Sequence, residues 1–178
     1  MRYSKITISG KICTGKSTLF SSLQKKLQWP TFSSSQFFRE YARTHNIVLE
    51  SAKEQNRTLT LKVDHHMRDL LKAPGKLLAE GWMAGIMANG YKGILKILLK
   101  SNDTIRVERF AKREKIATAE AQVKLKERQR NWGEKMKETY QRDDFFDPKN
   151  YDLVIDTSGQ EPKKTEGLVL KALGYKKI

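Results

Sequence analysis

A chain of 178 residues with 38% hydrophobic and 31% charged residues has the make-up of one globular domain, not of a disordered segment. No apolar run approaches the roughly 18 residues of a membrane span, and the only cysteine, Cys13, leaves no internal disulfide to form. Lys and Arg number 35 against 20 Asp and Glu, a net charge of +15 that attracts polyanions, nucleotides and RNA alike. The plainer reading of that excess is solvated helix faces, because the basic residues are spread out and alternate with glutamates through Lys112–Lys126.

Residues Tyr3 to Ser9 (YSKITIS) alternate and run into Gly10, the pattern of a strand entering a glycine-bounded loop. Leu19, Phe20, Leu23 and Leu27 then recur at helical spacing over Ser17–Leu27, and Trp29-Pro30 ends that helix. Thr31–Ser33 reads as a short second strand, with Ser34 or Ser35 expected to cap the helix that continues to Arg43. Ser51–Leu71 reads as further helix, closed by Pro74-Gly75. Three more apolar runs follow, Lys76–Ala79 ending at Glu80-Gly81, Ile94–Leu99 and Tyr151–Ile155. Asp103 to about Tyr140 is polar and helical, with breaks expected near Thr118 and Gly133. Short apolar strands between helical segments indicate a parallel sheet covered on both faces. No internal repeat or linker composition divides the chain, so a single α/β domain with helical insertions is expected. The N-terminus carries no leader pattern, and a cytoplasmic monomer without membrane contact is the expectation.

Gly10-Lys11-Ile12-Cys13-Thr14-Gly15-Lys16-Ser17 matches GxxxxGK[ST], placed between a strand and a helix as the motif requires. Its glycines let the loop wrap so that backbone N–H groups face phosphate oxygens. Lys16 reaches the β/γ-phosphates, the Ser17 hydroxyl ligates Mg²⁺, and the helix N-terminus adds its positive end. The ATP-binding set is therefore Gly10, Lys11, Ile12, Cys13, Thr14, Gly15, Lys16, Ser17 and Thr18. Cys13 matters there for its backbone more than its sulfur. A second acid is needed near the metal; Glu80, after the third strand, is the first candidate and Asp156 the second. Arg106, Arg109 and Arg113 recur at i, i+3 and i+7, so one helix face would present three cations to a phosphoryl group; the bland alternative is a solvated helix paired with Glu108 and Glu114. His65 and His66 are adjacent on a helix and face different directions, unsuited to a metal pair.

The ITISGKICTGKST opening, SSSQFFREYA, LLAEGWMAGIM, IRVERFAKREKI and YDLVIDTS, in this order and spacing, resemble the archaeal-type cytidylate kinases of the adenylate-kinase-like nucleoside monophosphate kinases. The resemblance covers about residues 3–158. It implies a three-layer P-loop fold with a five-stranded parallel sheet, a helical monophosphate-binding insertion at 33–75 and a helical lid at about 110–135. It also implies transfer of the γ-phosphate of ATP, with Mg²⁺, to CMP or dCMP. Carried over by position, Ser34, Arg39 and Asp64 are acceptor-binding, Arg109 and Arg113 are lid arginines on the ATP phosphates, and Arg128 and Lys135 are basic residues after the lid. Lys16, Arg109, Arg113 and Arg128 form the implied catalytic set, with Ser17 and Glu80 at the metal. The chain departs from the family at Glu80-Gly81-Trp82, where Asp/Glu-Gly-Arg is common and the arginine grips the acceptor phosphate. Trp82 could instead stack on the acceptor or pack beside Met83 and Ile86. Lys11 stands where small residues or proline are usual. Two alternatives stay open, a kinase of another small phosphorylated metabolite and an RNA-associated P-loop ATPase; the chain shows no RNP1-like aromatic pattern, so nucleic acid is not the favoured partner.

Overall fold

A computed structural model describes residues 2–46 and 57–175. Five strands alternate with helices: β1 (Lys5–Gly10), α1 (Lys16–Leu27), β2 (Thr31–Ser33), α2 (Ser34–Thr44), α3 (Arg57–Lys72), β3 (Leu77–Glu80), α4 (Ala84–Met87), β4 (Ile94–Lys100), α5 (Asp103–Glu114), α6 (Thr118–Tyr140), β5 (Leu153–Asp156) and α7 (Pro162–Ala172). The strands form one parallel sheet in the order β2-β3-β1-β4-β5. All six residues of the central strand β1 are buried, as expected of a strand covered on both faces. On one face Ile6, Ile8, Leu78, Leu95, Ile97 and Leu99 pack against Leu19, Phe20 and Leu23 of α1 and Val169 and Leu173 of α7. On the other, Leu77, Ala79 and Ile94 meet Met67 and Leu71 of α3 and Ala84 and Ala88 near α4.

Several local expectations need correction. The cap of α2 is Ser33, whose side chain accepts from Gln36 N–H; Ser34 is already helical and turned inward, and Ser35 follows it inside the helix. Gly133 does not break the helical stretch: α6 continues from Thr118 to Tyr140, with Trp132 and Met136 on its buried side. The break expected near Thr118 does occur: α5 ends at Glu114, Lys115 takes a left-handed conformation (φ 56°), and α6 starts at Thr118. Of the helix expected over Ser51–Leu71, the part before Arg57 lies outside the described residues. Helix α7, which completes the first face, carries no strong sequence signal and was not expected.

Because all strands are parallel, the loops after β1, β2, β3 and β5 emerge at one edge of the sheet, where open α/β sheets bind ligands. The register places Glu80 opposite Ile8 on one side and Ser33 on the other, which sets the end of β3 beside the loop leaving β1.

Candidate active site

The loop from Gly10 to Lys16 turns around its own backbone. Gly10 has φ 154°, and a Cβ there would stand 2.5 Å from the Leu99 carbonyl oxygen of β4 and 2.6 Å from Thr14 Oγ1, so a side chain would push the loop off the sheet. Gly15, just before α1, has φ 91°, a conformation open to glycine and strained for other residues. The Thr14 hydroxyl donates to the Lys11 carbonyl at 2.9 Å. Lys16 Nζ donates to the same carbonyl at 2.9 Å, which parks the ammonium inside the loop. Burial pulls the Lys16 pKa down to about 8, with the nearby Glu80 carboxylate opposing the shift.

Glu80 is 1% exposed. Its Oε1 accepts from Ser33 Oγ at 2.9 Å, while Oε2 is buried without a hydrogen-bond partner among the described residues. A buried carboxylate oxygen left in that state is costly unless a cation or donor meets it. Asp156, the other candidate acid, is exposed and accepts from Ser158 N–H at 2.8 Å, with hydrogen bonds from Ser158 holding its pKa below the usual range.

The three arginines of α5 divide their work differently from the expectation that one face presents all of them to a ligand. Arg106 is 4% exposed and bound to structure: Nε donates to the Ile12 carbonyl (2.8 Å), Nη2 to Gln129 Oε1 (2.8 Å) and Nη1 to Asp103 (2.7 Å). Gln129 Oε1 also accepts from Ile12 N–H at 3.3 Å, so Ile12 is gripped at both its N–H and its C=O. Arg109 lines the cleft and donates to Thr157 Oγ1 (3.0 Å), the Thr157 carbonyl (2.6 Å) and the Cys13 carbonyl (3.3 Å). Thr157 Oγ1 in turn donates to the Thr14 carbonyl at 3.0 Å. Arg113 lines the cleft as well, lies over the Phe110 ring at 5.0 Å and pairs with Glu114 at 2.7 Å. Sequence spacing identified the arginines but not the bracket that Arg106, Gln129 and Thr157 make around the loop, because the loop groups they meet, the Ile12 and Thr14 carbonyls and the Ile12 N–H, lie more than 90 residues away.

One cavity of about 730 Å³ joins these parts. Its walls include Ile12, Cys13, Gly15, Lys16, Ser17 and Thr18 from the loop and α1, Ser34 and Arg39 of α2, Asp64 of α3, Trp82 after β3, and Arg109, Arg113 and Arg128. Gly10, Lys11, Thr14 and Glu80 stand behind or beside that lining; Lys11 points to solvent and offers its carbonyl instead of its charge. Ser34 is buried, its hydroxyl 3.4 Å from the Glu80 carbonyl.

At the far end the wall is aromatic. Trp82 meets Phe146 edge-on at 5.1 Å and Trp132 tilted at 6.3 Å, and Phe38 meets Trp132 at 5.4 Å. Trp82 thus both lines the cavity and packs, touching the apolar clusters around Trp132 and around Phe110. Asp64 is 3% exposed and accepts from the Tyr140 hydroxyl at 2.6 Å. Burial pushes its pKa up to about 6, against the pull of that bond and of Lys135. Lys135 is itself lowered to about 8 by burial, with Asp64 opposing, and Tyr140 is raised chiefly by burial. His65 and His66 are exposed, and no cluster of three or more His, Cys, Asp or Glu suited to a metal occurs among the described residues. No helix among them is long and apolar enough to cross a membrane.

Solved structures of low sequence identity share the fold: an uncharacterized protein from Eubacterium ventriosum (TM-score 0.73, 12% identity, 97% of this chain and 99% of that one), a gluconokinase from Sinorhizobium meliloti (0.61, 13%, 98% and 94%) and a shikimate kinase from Aquifex aeolicus (0.56, 14%, 96% of each). In sequence the chain is 32% identical to a cytidylate kinase of Methanopyrus kandleri over 94% of this chain and 92% of that one. It is 30% identical to one of Thermoplasma volcanium over 95% and 90%. The family model described as cytidylate kinase-like matches residues 5–159, and the chain belongs to the cytidylate kinase-like family of P-loop nucleoside monophosphate kinases.

Proposed function

We propose that this kinase transfers the γ-phosphoryl group of ATP, with Mg²⁺, to a pyrimidine nucleoside monophosphate, CMP or dCMP. The observation that carries the reading is the continuity of the cavity, which runs from the P-loop lysine to Ser34, Arg39, Asp64 and Trp82 without a wall between. Donor and acceptor phosphates can then meet in one place, and holding them in line is most of what phosphoryl transfer requires.

In this reading Gly10 to Thr18 wrap the donor phosphates, and Lys16 leaves the Lys11 carbonyl to bind them. Ser17 and Glu80 would hold Mg²⁺, which would supply positive charge to offset that of the phosphates. The buried spare oxygen of Glu80 and the exposed hydroxyl of Ser17 fit such a hard cation. Arg109, Arg113 and Arg128 supply fixed positive charge to the equatorial oxygens. Ser34 and Arg39 orient the acceptor, Asp64 accepts a hydrogen bond from its base, and Trp82 provides apolar surface. The whole chain acts as one domain, with 33–75 the acceptor-binding insertion and about 110–135 the lid that excludes water; a monomer suffices, since every residue of the set lies on one chain.

A coupled ADP-release assay across CMP, dCMP, UMP, AMP and non-nucleotide acceptors tests this. Turnover highest with CMP or dCMP is expected. Turnover only with a non-nucleotide acceptor, or ATP hydrolysis stimulated by RNA alone, would overturn it.

A further inference from the structure

The edge of the sheet opposite the cavity, where the parallel strands begin, gathers residues that lie far apart in the sequence. The Gly93 carbonyl accepts from Ser4 N–H (2.9 Å) and Lys5 N–H (3.2 Å), Leu77 N–H donates to the Ser4 carbonyl (3.3 Å), and Leu78 N–H donates to the Pro30 carbonyl (2.9 Å). These bonds hold the N-terminal stretch and the segments entering β2, β3 and β4 side by side. Helices α1, α3 and α7 run against the strands, so their last turns reach the same edge, where Lys26 Nζ lies 6.0 Å from the Tyr175 ring. None of these segments lines the cavity.

Residues 2–5, 24–31, 71–77, 89–94 and 170–175, which build this edge, contain no Asp or Glu. They bring together Lys25 and Lys26 at the end of α1, Lys72 and Lys76 around Pro74-Gly75, Lys92 before β4 and Lys171 in the last turn of α7, all exposed, and exposed Arg2 joins them. None of these takes part in an ion pair among the described residues, whereas Arg43, Arg113, Lys124 and Arg130 on α2, α5 and α6 each pair with a glutamate. The three helix C-termini supply about half a negative charge each, too little to cancel the cations. Four aromatic rings of the edge lie beneath one of these cations: Tyr3 under Arg2 (5.6 Å), Tyr175 under Lys26 (6.0 Å), Tyr91 under Lys72 (6.0 Å) and Trp29 under Lys76 (5.7 Å). Trp29 is buried, and the three tyrosines are half-buried.

We propose that this edge is a second binding surface, separate from the cavity, and that its occupant is a single strand of nucleic acid. Lysines that look scattered along the sequence are gathered here by the fold, and a phosphodiester backbone is held by that kind of clustering. Tyr3, Tyr91 and Tyr175 come from three different segments and offer ring surface on which bases stack. Only unpaired bases can reach them, because a duplex keeps its bases inside. A membrane fits this edge less well. None of the large hydrophobic side chains exposed among the described residues, Phe37, Val123, Val154 and Leu168, belongs to it, so it has no such side chain to enter the acyl layer. An acidic peptide would meet the charge but bring no bases to the rings.

Fluorescence anisotropy of the intact chain with labelled oligouridylate and oligothymidylate of about 12 nucleotides tests this. Both should bind with a Kd on the order of 1 μM at about 0.05 M salt, and roughly 60- to 250-fold more weakly at about 0.2 M, if about four to six phosphates are neutralised. Lys25→Gln, Lys26→Gln, Lys72→Gln and Lys76→Gln combined should weaken binding at least about tenfold and flatten the salt dependence. Lys112→Gln, Lys126→Gln, Lys163→Gln and Lys164→Gln combined remove the same charge from exposed positions elsewhere and should leave binding within about threefold. Lys92→Glu, one change in an exposed loop, gives an independent reading with a loss of about fivefold, and melting curves confirm that each variant is folded. Excess Mg²⁺-ATP should not displace the strand. Absence of binding at low salt, equal losses from the two lysine sets or displacement by ATP would overturn the proposal. So would binding as tight to a duplex of the same length, to oligoglutamate or to vesicles of phosphatidylserine and phosphatidylcholine. The kinase reading rests on the cavity and survives any of these results.

Discussion

Arg106 lies at the junction of the P-loop and the α5–α6 pair, and its removal has a magnitude that the structure fixes. In Arg106→Ala three hydrogen bonds disappear. The one to Asp103 contributes little, because Asp103 is 88% exposed and water replaces the arginine. The other two count. The Ile12 carbonyl, in a residue 8% exposed, loses its charged donor, and Gln129 keeps only its longer bond from Ile12 N–H. An unmet buried carbonyl and one lost charge-assisted bond at roughly 1–3 kcal/mol each, with the packing of the aliphatic stem, give a loss of about 3 kcal/mol. For a chain of this size that lowers the melting temperature by about 10 °C. The loop should also lose its preset shape, so nucleotide affinity should fall together with stability. Urea denaturation and nucleotide titration on Arg106→Ala and Arg106→Lys check both. Lys keeps the charge but not the fork of donors and should recover less than half. A loss below about 1 kcal/mol with unchanged nucleotide affinity would refute the bracket and return Arg106 to the role of a helix-face cation.

Lys16→Met should abolish phosphoryl transfer yet raise the melting temperature of the ligand-free protein at neutral pH. The folded pKa of Lys16, about 8, lies below its ordinary 10.5, so the stability it offers is present above pH 10.5 and lost as pH falls through 8, by about 3 kcal/mol at most; a variant that melts lower than wild type refutes this. Bound phosphate should restore the charge, so titrations near pH 8.5 in buffers of different ionisation enthalpy should show proton uptake. Asp64 runs the other way in pH. Its folded value of about 6 lies above 3.8, so its contribution is present below pH 3.8 and lost as pH rises through 6, again by about 3 kcal/mol at most. Asp64→Asn, which still accepts from Tyr140, should therefore be the more stable chain at pH 7 and lose that advantage by pH 4, as read from paired urea melts. Trp82→Arg should lower CMP turnover, since the contacts with Trp132 and Phe146 are lost and a charge enters an apolar wall; faster CMP turnover would show the ring to be dispensable.

The loop that we propose to hold the donor phosphates was legible in the sequence because it is local. Gly10 to Ser17 are contiguous, and the strand before and the helix after are set by short-range periodicity. Glu80 was legible for a related reason: parallel strands of similar length end at one edge, so the residue closing β3 falls beside the loop closing β1. What escaped the sequence depends on long-range geometry. Three arginines at i, i+3 and i+7 look equivalent on a helical wheel, yet Arg106 turns toward Ile12, Arg109 toward Thr157 and Arg113 toward Glu114, because the P-loop passes only one side of α5. Gly133 reads as a breaker on propensity alone, but Trp132 and Met136 bury the helix face around it, and that packing outweighs the roughly 1 kcal/mol a helical glycine costs. Thr157 stands in the YDLVIDTS stretch, but its bonds to Thr14 and Arg109 come from where the loop after β5 lands.

Position 82 shows how the two halves depend on each other. An arginine there would bring a charge to the acceptor phosphate, but Trp82 is in contact with two apolar clusters, one built on Trp132, Met136 and Phe38, the other on Phe110, Ala121 and Leu125. The first lies on the side that we propose receives the acceptor, and the second belongs to the α5–α6 pair that Arg106 ties to the P-loop. The indole therefore connects the elements on either side of the cavity, which a guanidinium could not do without burying charge among apolar side chains. With that charge absent, Arg39 of α2 is a cation in the cavity wall that we propose faces the acceptor, while Arg109 already donates to Thr157 and Cys13. Acceptor binding should then draw more on apolar contact and less on charge, so raising the salt concentration from about 0.05 to 0.2 M should weaken acceptor binding less than donor binding.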